Sequence, residues 1–296
     1  MITSIYIANE RVQVVMGEAG RRGLKIQTHA ATPLPEGVMI NGVITDERAL
    51  RAALEQLRRD YPSLKWQNVR LCIDSSAIYY KQMRLPALRP KRMLELVRGE
   101  FADMENAQEL LCDYAVLQPR AQEGGVEALL CAVKREMVES YVQLLKESGI
   151  ALGAVNTALD SQIKLVRNLP ALREQTFIIM VLDGNVLGAA VFVKGQFRFA
   201  NRSRLLAERG SEGLQAEVER AVSTLIQFNQ SQKNGEAVTH LYLAGLRPQE
   251  RELQAEVCRA FGLRVGQLSQ GGCEIDAPDG FDMADYAYAA GNLFDF

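Results

Sequence analysis

The fold is decided by residues 177–201, FIIMVLDGNVLGAAVFVKGQFRFAN, because this stretch contains three short apolar segments separated by two turn signals. Glycine next to Asp, Asn or Lys is typical of tight hairpin turns, and apolar runs of six or seven residues between such turns are typical of strands. The stretch therefore predicts a three-stranded meander, with strands at Phe177–Leu182, Leu187–Val193 and Gln196–Asn201 and turns at Asp183-Gly184-Asn185 and Lys194-Gly195.

The same pattern opens the chain, with predicted strands at Ile2–Ala8, Val12–Met16 and Leu24–Ala31. Each meander is followed by an amphipathic helix and a buried strand. Asp46 is a suitable cap for the first helix, whose apolar stripe is Leu50, Ala53, Leu54 and Leu57. The second helix is predicted at Gly210–Gln230 with Phe228 pointing inward, and further helices are predicted at Glu250–Phe261 and Asp282–Leu293. A duplicated βββαβα layout predicts an α/β protein with two similar lobes around a cleft. The alternative is a tandem of two unrelated α/β domains.

The pattern is interrupted after the first lobe's helix and strand. Residues 79–149 contain a proline-bounded turn, a helix with Met93 and Val97 on its apolar side, two strands, and a second helix that ends at Gly149. This predicts a small inserted α+β subdomain. The predicted domains are a first lobe formed by residues 1–78, 150–175 and 282–296, the insert at 79–149, and a second lobe at 176–281.

Composition excludes several classes of function. The 296 residues are 48% hydrophobic and 24% charged with a net charge of −2, and no basic stripe indicates nucleic-acid binding. The five cysteines form no CxxC pair and the two histidines, His29 and His240, lie in separate predicted strands, so no metal site is expected. No apolar run approaches the roughly 20 residues of a membrane helix. We expect a cytoplasmic protein without direct membrane insertion.

Four stretches of the sequence form a pattern through their order and spacing. Their positions are Pro35, Gly37, Gly42, Ile44 and Asp46 in PLPEGVMINGVITD, Leu85-Pro86 in the entry to the insert, the strand–glycine–helix–strand stretch LYLAGLRPQERELQAEVCRAFGLRV, and Ala287, Ala289 and Gly291 near the C-terminus. Together these stretches resemble the PilM family of type IV pilus assembly proteins. The likeness covers nearly the whole chain, although each motif alone is weak.

The resemblance implies an actin-like fold, whose members bind ATP in the cleft. There the opening hairpin of each lobe grips the phosphates through a D-x-G turn, and a Lys often follows on the next strand. In this sequence those first-lobe positions are Tyr6, Ala8 and Gln13. We therefore expect a degenerate cofactor site, with ATP and magnesium disfavoured. Its remaining candidate residues are Asp183, Gly184, Asn185 and Gly245, although Asp183-Gly184-Asn185 also suits a plain hairpin.

The entry to the insert is the candidate partner site. Residues 84–98 are rich in Arg and Lys, which indicates a solvated helix face, a groove for a partner's short peptide, or an acidic lipid surface. In the resembled family the cytoplasmic tail of a membrane partner docks between the first lobe and the insert, which favours the peptide. The predicted partner-binding residues are Arg84, Leu85, Arg89, Lys91, Arg92 and Met93.

The resulting functional prediction is a non-catalytic adaptor of type IV pilus or related secretion machinery. It would lie at the inner face of the membrane and dock the cytoplasmic peptide of a membrane-anchored protein. The alternative is an ATP-binding protein or small-molecule kinase or ATPase of the same superfamily, for which Asp183 is the one candidate base. The sequence leaves the formation of homo-oligomers open.

Overall fold

The computed structural model describes residues 1–20, 23–119, 124–232 and 236–295. Two sheets form the body of the protein, and a third belongs to the insert. The first lobe contains β1 (Ile2–Ile7), β2 (Arg11–Ala19), β3 (Gly23–Pro33), β4 (Met39–Ile40), β5 (Val43–Ile44), α1 (Glu47–Asp60) and β6 (Val69–Ile73). The insert follows with β7 (Tyr79–Leu85), α2 (Pro90–Glu100), β8 (Leu110–Gln118) and β9 (Val126–Lys134).

The remaining elements complete both lobes. The chain continues through α3 (Arg135–Glu147), β10 (Leu152–Thr157), α4 (Ala158–Arg167), β11 (Phe177–Asp183), β12 (Val186–Val193), β13 (Gln196–Arg204) and α5 (Glu212–Ser231). It ends with β14 (His240–Ala244), α6 (Leu253–Phe261), β15 (Arg264–Val265), β16 (Glu274–Asp276) and α7 (Ala287–Gly291). None of the described helices has the length and apolar character needed to cross a membrane.

The two large sheets repeat one topology, which confirms the predicted duplication. Strand order is β3-β2-β1-β6-β10 in the first lobe, extended by β16 next to β3, and β13-β12-β11-β14-β15 in the second. In each sheet the first three strands are antiparallel neighbours and the last two run parallel to the first. The first strand of each lobe therefore lies inside its sheet, with strands on both sides. The hairpin that follows its carboxyl end lies at the cleft.

The amphipathic helices bury the outer face of each sheet. The side chain of Asp46 caps α1 by accepting a hydrogen bond from the Ala49 backbone N–H at 3.0 Å, as predicted. The predicted stripe of Leu50, Ala53, Leu54 and Leu57 is buried against the first sheet. Each buried leucine contributes roughly 1.5–3 kcal/mol to folding. α5 and α6 cover the second sheet in the same way.

A third core lies between the lobes. It joins the inner faces of both sheets, represented by Val15 and Phe177, and it includes buried residues of α4 and α7. Because this core is continuous from one sheet to the other, the two lobes are held together below the cleft.

The insert contains one strand that the sequence analysis missed. The segment read as a proline-bounded turn begins with β7, which is an edge strand of the sheet β7-β9-β8. Edge strands carry polar side chains where they face solvent, and Lys81 and Arg84 therefore masked the strand pattern. α2 covers one face of this sheet.

Three further helix predictions need correction. α7 is much shorter than the predicted 282–293, because residues before it form turns in which the Ala284 carbonyl accepts a hydrogen bond from Gly245 N–H at 3.2 Å. Phe228 was predicted to point inward but is 47% exposed, since it lies one position off the buried stripe of α5. The predicted helix from Glu250 starts later, at Leu253.

The predicted domain boundaries remain predictions, and Phe296 lies outside the described residues. The packing of α3 favours one change. Tyr141, Leu144 and Leu145 of this helix are buried in the core of the first lobe, and the Tyr141 hydroxyl donates to the Gly42 carbonyl at 2.6 Å. We would accordingly end the insert at Lys134, because α3 then connects two parallel strands of the first lobe as α6 does in the second.

Candidate functional site

The opening hairpins of the two lobes meet directly across the cleft. The carboxylate of Asp183, at the end of β11, lies against the turn between β1 and β2. It accepts hydrogen bonds from the Asn9 backbone N–H at 2.9 and 3.0 Å, from the Asn9 side-chain amide at 3.0 Å and from the Tyr6 hydroxyl at 3.0 Å. A backbone N–H and two further donors converging on one carboxylate constitute an anion site that the chain itself fills.

The environment of Asp183 perturbs its acidity. Burial raises its pKa from the ordinary 3.8 to about 6, and the carboxylates of Asp74 and Glu10 act in the same direction, while the bonds from Asn9 and Tyr6 oppose the rise. Burial also raises the pKa of Tyr6, and Asp183 contributes to that rise. Tyr6 therefore stays protonated and acts as a donor to Asp183.

Two glycines allow this close approach. Gly184 has φ +56°, which suits the first position of the two-residue turn between β11 and β12, and a Cβ there would lie 3.3 Å from Asn9 Cβ. Gly245 has φ +72°, and a Cβ would lie 2.1 Å from the Leu182 carbonyl oxygen. Gly184 therefore suits the conformation of the turn, and Gly245 is required by the close approach of the Leu182 backbone.

Beside this contact lies a cavity of about 240 Å³ that brings several predicted cofactor residues together. Asp183, Gly184 and Gly245 line it along with Tyr6 and Ala8. This volume is below the roughly 300–1,000 Å³ typical of small-molecule sites. Gln13, at the position of the family's lysine, donates its side-chain amide to the Asp285 carbonyl and is no longer available to a ligand.

Two ion pairs connect the lobes next to the hairpin contact. Glu10 pairs with Arg247 at 2.6 Å and Asp74 pairs with Arg202 at 2.8 Å, and both pairs join opposite lobes. Arg247 and Arg202 line a wider groove of about 820 Å³ at the mouth of the cleft. Asn185 lies in this groove, which Gly184 also lines, whereas Asp183 and Gly245 line only the smaller cavity.

A buried ion pair supports the second hairpin from behind. Arg209 binds both carboxylate oxygens of Glu250, and the side chains are only 6% and 2% exposed. Arg209 also donates to the carbonyls of Gly184 at 3.3 Å and Gly245 at 2.9 Å. A single guanidinium therefore positions the hairpin turn relative to the end of β14.

A second groove, which we call the insert groove, lies between the first lobe and the insert. Its volume is about 370 Å³. The edge strands β8 and β10 line it on opposite sides, with five consecutive residues of β8, Leu111 to Ala115, and three of β10, Val155 to Thr157. Further apolar residues come from β6, β7, β9 and α3, namely Ile73, Tyr80, Leu129, Cys131, Val133 and Val138.

The lining of the insert groove also contains one ion pair. Lys164 Nζ lies 2.7 Å from Asp160 Oδ2, one helical turn apart on α4, with side-chain exposures of 9% and 18%. Burial raises the pKa of Asp160, and Lys164 opposes that rise. An apolar groove with a few polar groups can hold apolar side chains of a ligand and fix its orientation by hydrogen bonds.

The structure corrects part of the predicted partner site. Leu85 and Met93 are 5% and 2% exposed, because they pack between α2 and the insert sheet. Neither side chain can contact a partner while the insert is folded. Arg84, Arg89, Lys91 and Arg92 are exposed, but the last three lie on or next to α2, on the face of the insert sheet opposite the insert groove. Their role in binding a partner remains a prediction.

The sequence of β9 contains a signal for the insert groove. β9 reads VEALLCAVK and is apolar at successive positions. Its residues Ala128, Leu130 and Ala132 face α2, whereas Leu129 and Cys131 face the groove. A strand that is apolar on both faces indicates that both faces are covered or contact something. Among the described residues, no group of three His, Cys, Asp or Glu side chains could hold a metal ion.

The repeated sheets, the facing hairpins and the cleft between them define an actin-like protein. Solved structures agree with this class. A protein of Bacteroides thetaiotaomicron with an actin-like ATPase fold and unknown function is 12% identical, with a TM-score of 0.54 over 99% of this chain and 95% of that chain. The ethanolamine utilization protein EutJ of Carboxydothermus hydrogenoformans is 10% identical, with a TM-score of 0.51 over 99% and 89%.

Within this class, the family described as type IV pilus assembly protein PilM matches residues 4–201, so the chain belongs to that family. A structure described as a PilM-PilN type IV pilus biogenesis complex is similar to it, with a TM-score of 0.80 and 16% identity over 99% of this chain and 97% of that chain. No curated protein matches the chain by sequence.

Proposed function

We propose that the chain is a non-catalytic adaptor of the type IV pilus machinery that docks a short cytoplasmic peptide of a membrane-anchored partner in the insert groove. The observation that carries this proposal is that the chain's own side chain fills one of the two sites, the contact between the hairpins, and leaves the other, the insert groove, open. The anion position between the hairpins is filled by Asp183, whereas the insert groove is open and lined with apolar side chains.

Family membership and the related complex support the partner's identity. The similar structure contains PilM together with PilN, which makes a PilN-type protein the first candidate. Such a partner would hold the chain at the inner face of the membrane. Both β8 and β10 are edge strands, so part of their backbone faces the groove, which favours an extended peptide.

The side chains of the cleft argue against the enzymatic alternative. A kinase or ATPase needs a carboxylate that is free to orient a nucleophile and donors that are free to hold phosphate. Asp183 already accepts hydrogen bonds from three donors of the first hairpin, namely Asn9 N–H, the Asn9 amide and the Tyr6 hydroxyl. A bound triphosphate would have to displace the Asp183 carboxylate from its hydrogen bonds to the opposite lobe.

Calorimetric titration tests the proposal. A synthetic peptide covering the cytoplasmic segment of the organism's own PilN-type protein should bind with a Kd on the order of micromolar. Ala115 lines the groove on β8, and Ala115→Trp should fill it and weaken binding by at least about 100-fold without destabilising the fold. The matched control is Ala87→Trp, at an exposed position outside the groove, which should leave the affinity unchanged. Equal binding by the Ala115→Trp variant, or no binding by the wild type, would contradict the proposal.

A further inference from the structure

The outer surface of the insert combines exposed cations and leucines in a way that the adaptor role in the insert groove does not use. We call this surface the α2 face. It consists of the loop before α2 and the solvent side of the helix, with the cations Arg89, Lys91, Arg92 and Arg98 and the leucines Leu88 and Leu96. Leu88 is 46% exposed and Leu96 38%.

The charge of the α2 face differs from that of the whole chain. Between residues 86 and 100 there are four cations and two acids, Glu95 and Glu100, in a protein whose net charge is −2. Glu100 pairs with Lys81 of β7. Glu95 pairs with Arg92 at 2.7 Å, but the Arg92 side chain stays 74% exposed. The remaining cations extend from a rigid support, since Met93 and Val97 anchor the helix in the core of the insert.

The positions of two of these cations are unfavourable for the helix itself. Lys91 and Arg92 occupy the first turn of α2, where the macrodipole favours acids, and this turn contains no acid. The first turns of α1, α3, α4 and α5 each contain an acid, namely Glu47, Glu136, Asp160 and Glu212. An external anionic surface would offset this unfavourable interaction with the helix dipole.

We propose that the α2 face is a peripheral contact for an anionic membrane surface. Cations near such a surface are attracted to phospholipid headgroups, and leucines beside them can enter the interfacial region. A charge-only site for an acidic peptide would not require the exposed Leu88 and Leu96 among the cations. The contact goes beyond the adaptor role, because it needs no partner peptide.

Vesicle co-sedimentation with the full chain tests this contact. Vesicles of phosphatidylcholine containing about 30% phosphatidylglycerol should bind the protein at low salt, and binding should fall steeply as salt rises. Vesicles of pure phosphatidylcholine should not bind it. Replacing Arg89, Lys91 and Arg92 by Gln should reduce the partition coefficient by roughly fivefold per cation, or about 100-fold in the triple variant.

A matched triple variant separates the α2 face from net charge. Arg48→Gln, Arg220→Gln and Arg259→Gln remove the same charge from exposed positions on α1, α5 and α6, and they should change vesicle binding by less than about twofold. Leu88→Ala with Leu96→Ala should weaken binding chiefly at high salt, where the apolar part remains. Three results overturn the proposal: no binding of the wild type to anionic vesicles, equal losses in the two triple variants, or a triple α2-face variant that loses only peptide binding.

Discussion

The interlobe cleft and the insert groove are both lined by a carboxylate with a raised pKa, yet they differ in what satisfies that carboxylate. Asp183 in the cleft is held by donors from the opposite lobe, and the cavity left beside it is only about 240 Å³. Asp160 in the groove pairs with Lys164 on its own helix, and about 370 Å³ remains open next to it. The contacts between the lobes therefore fill the position between the hairpins, and the wider groove of about 820 Å³ lies outside it at the cleft mouth. The ion pair of Asp160 lies within one helix and leaves the insert groove accessible.

This difference indicates where a two-lobed protein can bind a ligand. Once side chains of the lobes satisfy each other, any ligand between them must replace those bonds as well as make its own. A groove formed by two edge strands carries no such requirement. The cleft of this chain is therefore expected to act as structural support, and the groove as the recognition site.

The largest expected effect comes from removing the ion pair behind the second hairpin. Arg209→Ala should lower the free energy of unfolding by about 3–5 kcal/mol, because the buried carboxylate of Glu250 would lose its ionic partner and keep only the hydrogen bond from the Arg247 backbone N–H. Urea denaturation measures this change, with the exposed Arg251→Ala as control. The peptide affinity of the insert groove should stay within about twofold of wild type while the variant is folded. A loss of less than about 1 kcal/mol would break the distinction between a structural cleft and a binding groove.

A smaller, pH-dependent effect is expected from Asp183→Asn. Because the folded pKa of Asp183 lies near 6, above its ordinary 3.8, its stabilising contribution is present below pH 3.8 and is lost as the pH rises through about 6. Asn keeps an acceptor for Asn9 N–H but carries no charge. The variant should therefore gain stability relative to wild type between about pH 4 and pH 7, by up to about 3 kcal/mol.

Thermal or urea unfolding across this pH range checks the expectation, with the exposed Asp103→Asn as matched control. Peptide binding in the insert groove should not change in either variant. A difference between Asp183→Asn and wild type that is constant with pH would show that Asp183 does not titrate as its surroundings require.

Sequence reasoning predicted the duplicated lobes because strand and helix periodicities are local signals. The stripe Leu50, Leu54 and Leu57 and the capping Asp46 were found in this way. It also identified Tyr6 and Ala8 as departures from the phosphate-binding pattern. The sequence alone does not show that Asp183 fills the position between the hairpins, because Asp183 and Asn9 are 174 positions apart and meet only when both lobes are folded.

The predicted partner site shows a second limit of sequence reasoning, which is that it does not distinguish core residues from binding residues. The basic stretch around Arg89 and Lys91 drew attention because charge is visible in a sequence, but Leu85 and Met93 within it are core residues. The resemblance placed the partner between the first lobe and the insert, but the lining of the insert groove was not identified, because it comes from strands and helices spread between Ile73 and Lys164. Apolar residues that line a groove have the same composition as a core, so only the fold distinguishes them.

The most direct test of the account is a crystal structure of the chain grown with the partner's cytoplasmic peptide and Mg-ATP together. We expect the peptide to be ordered in the insert groove between β8 and β10, with Asn9 and Tyr6 still bound to Asp183 and no triphosphate between the hairpins. An ordered triphosphate that takes the Asn9 N–H from Asp183, with the insert groove empty, would contradict the account.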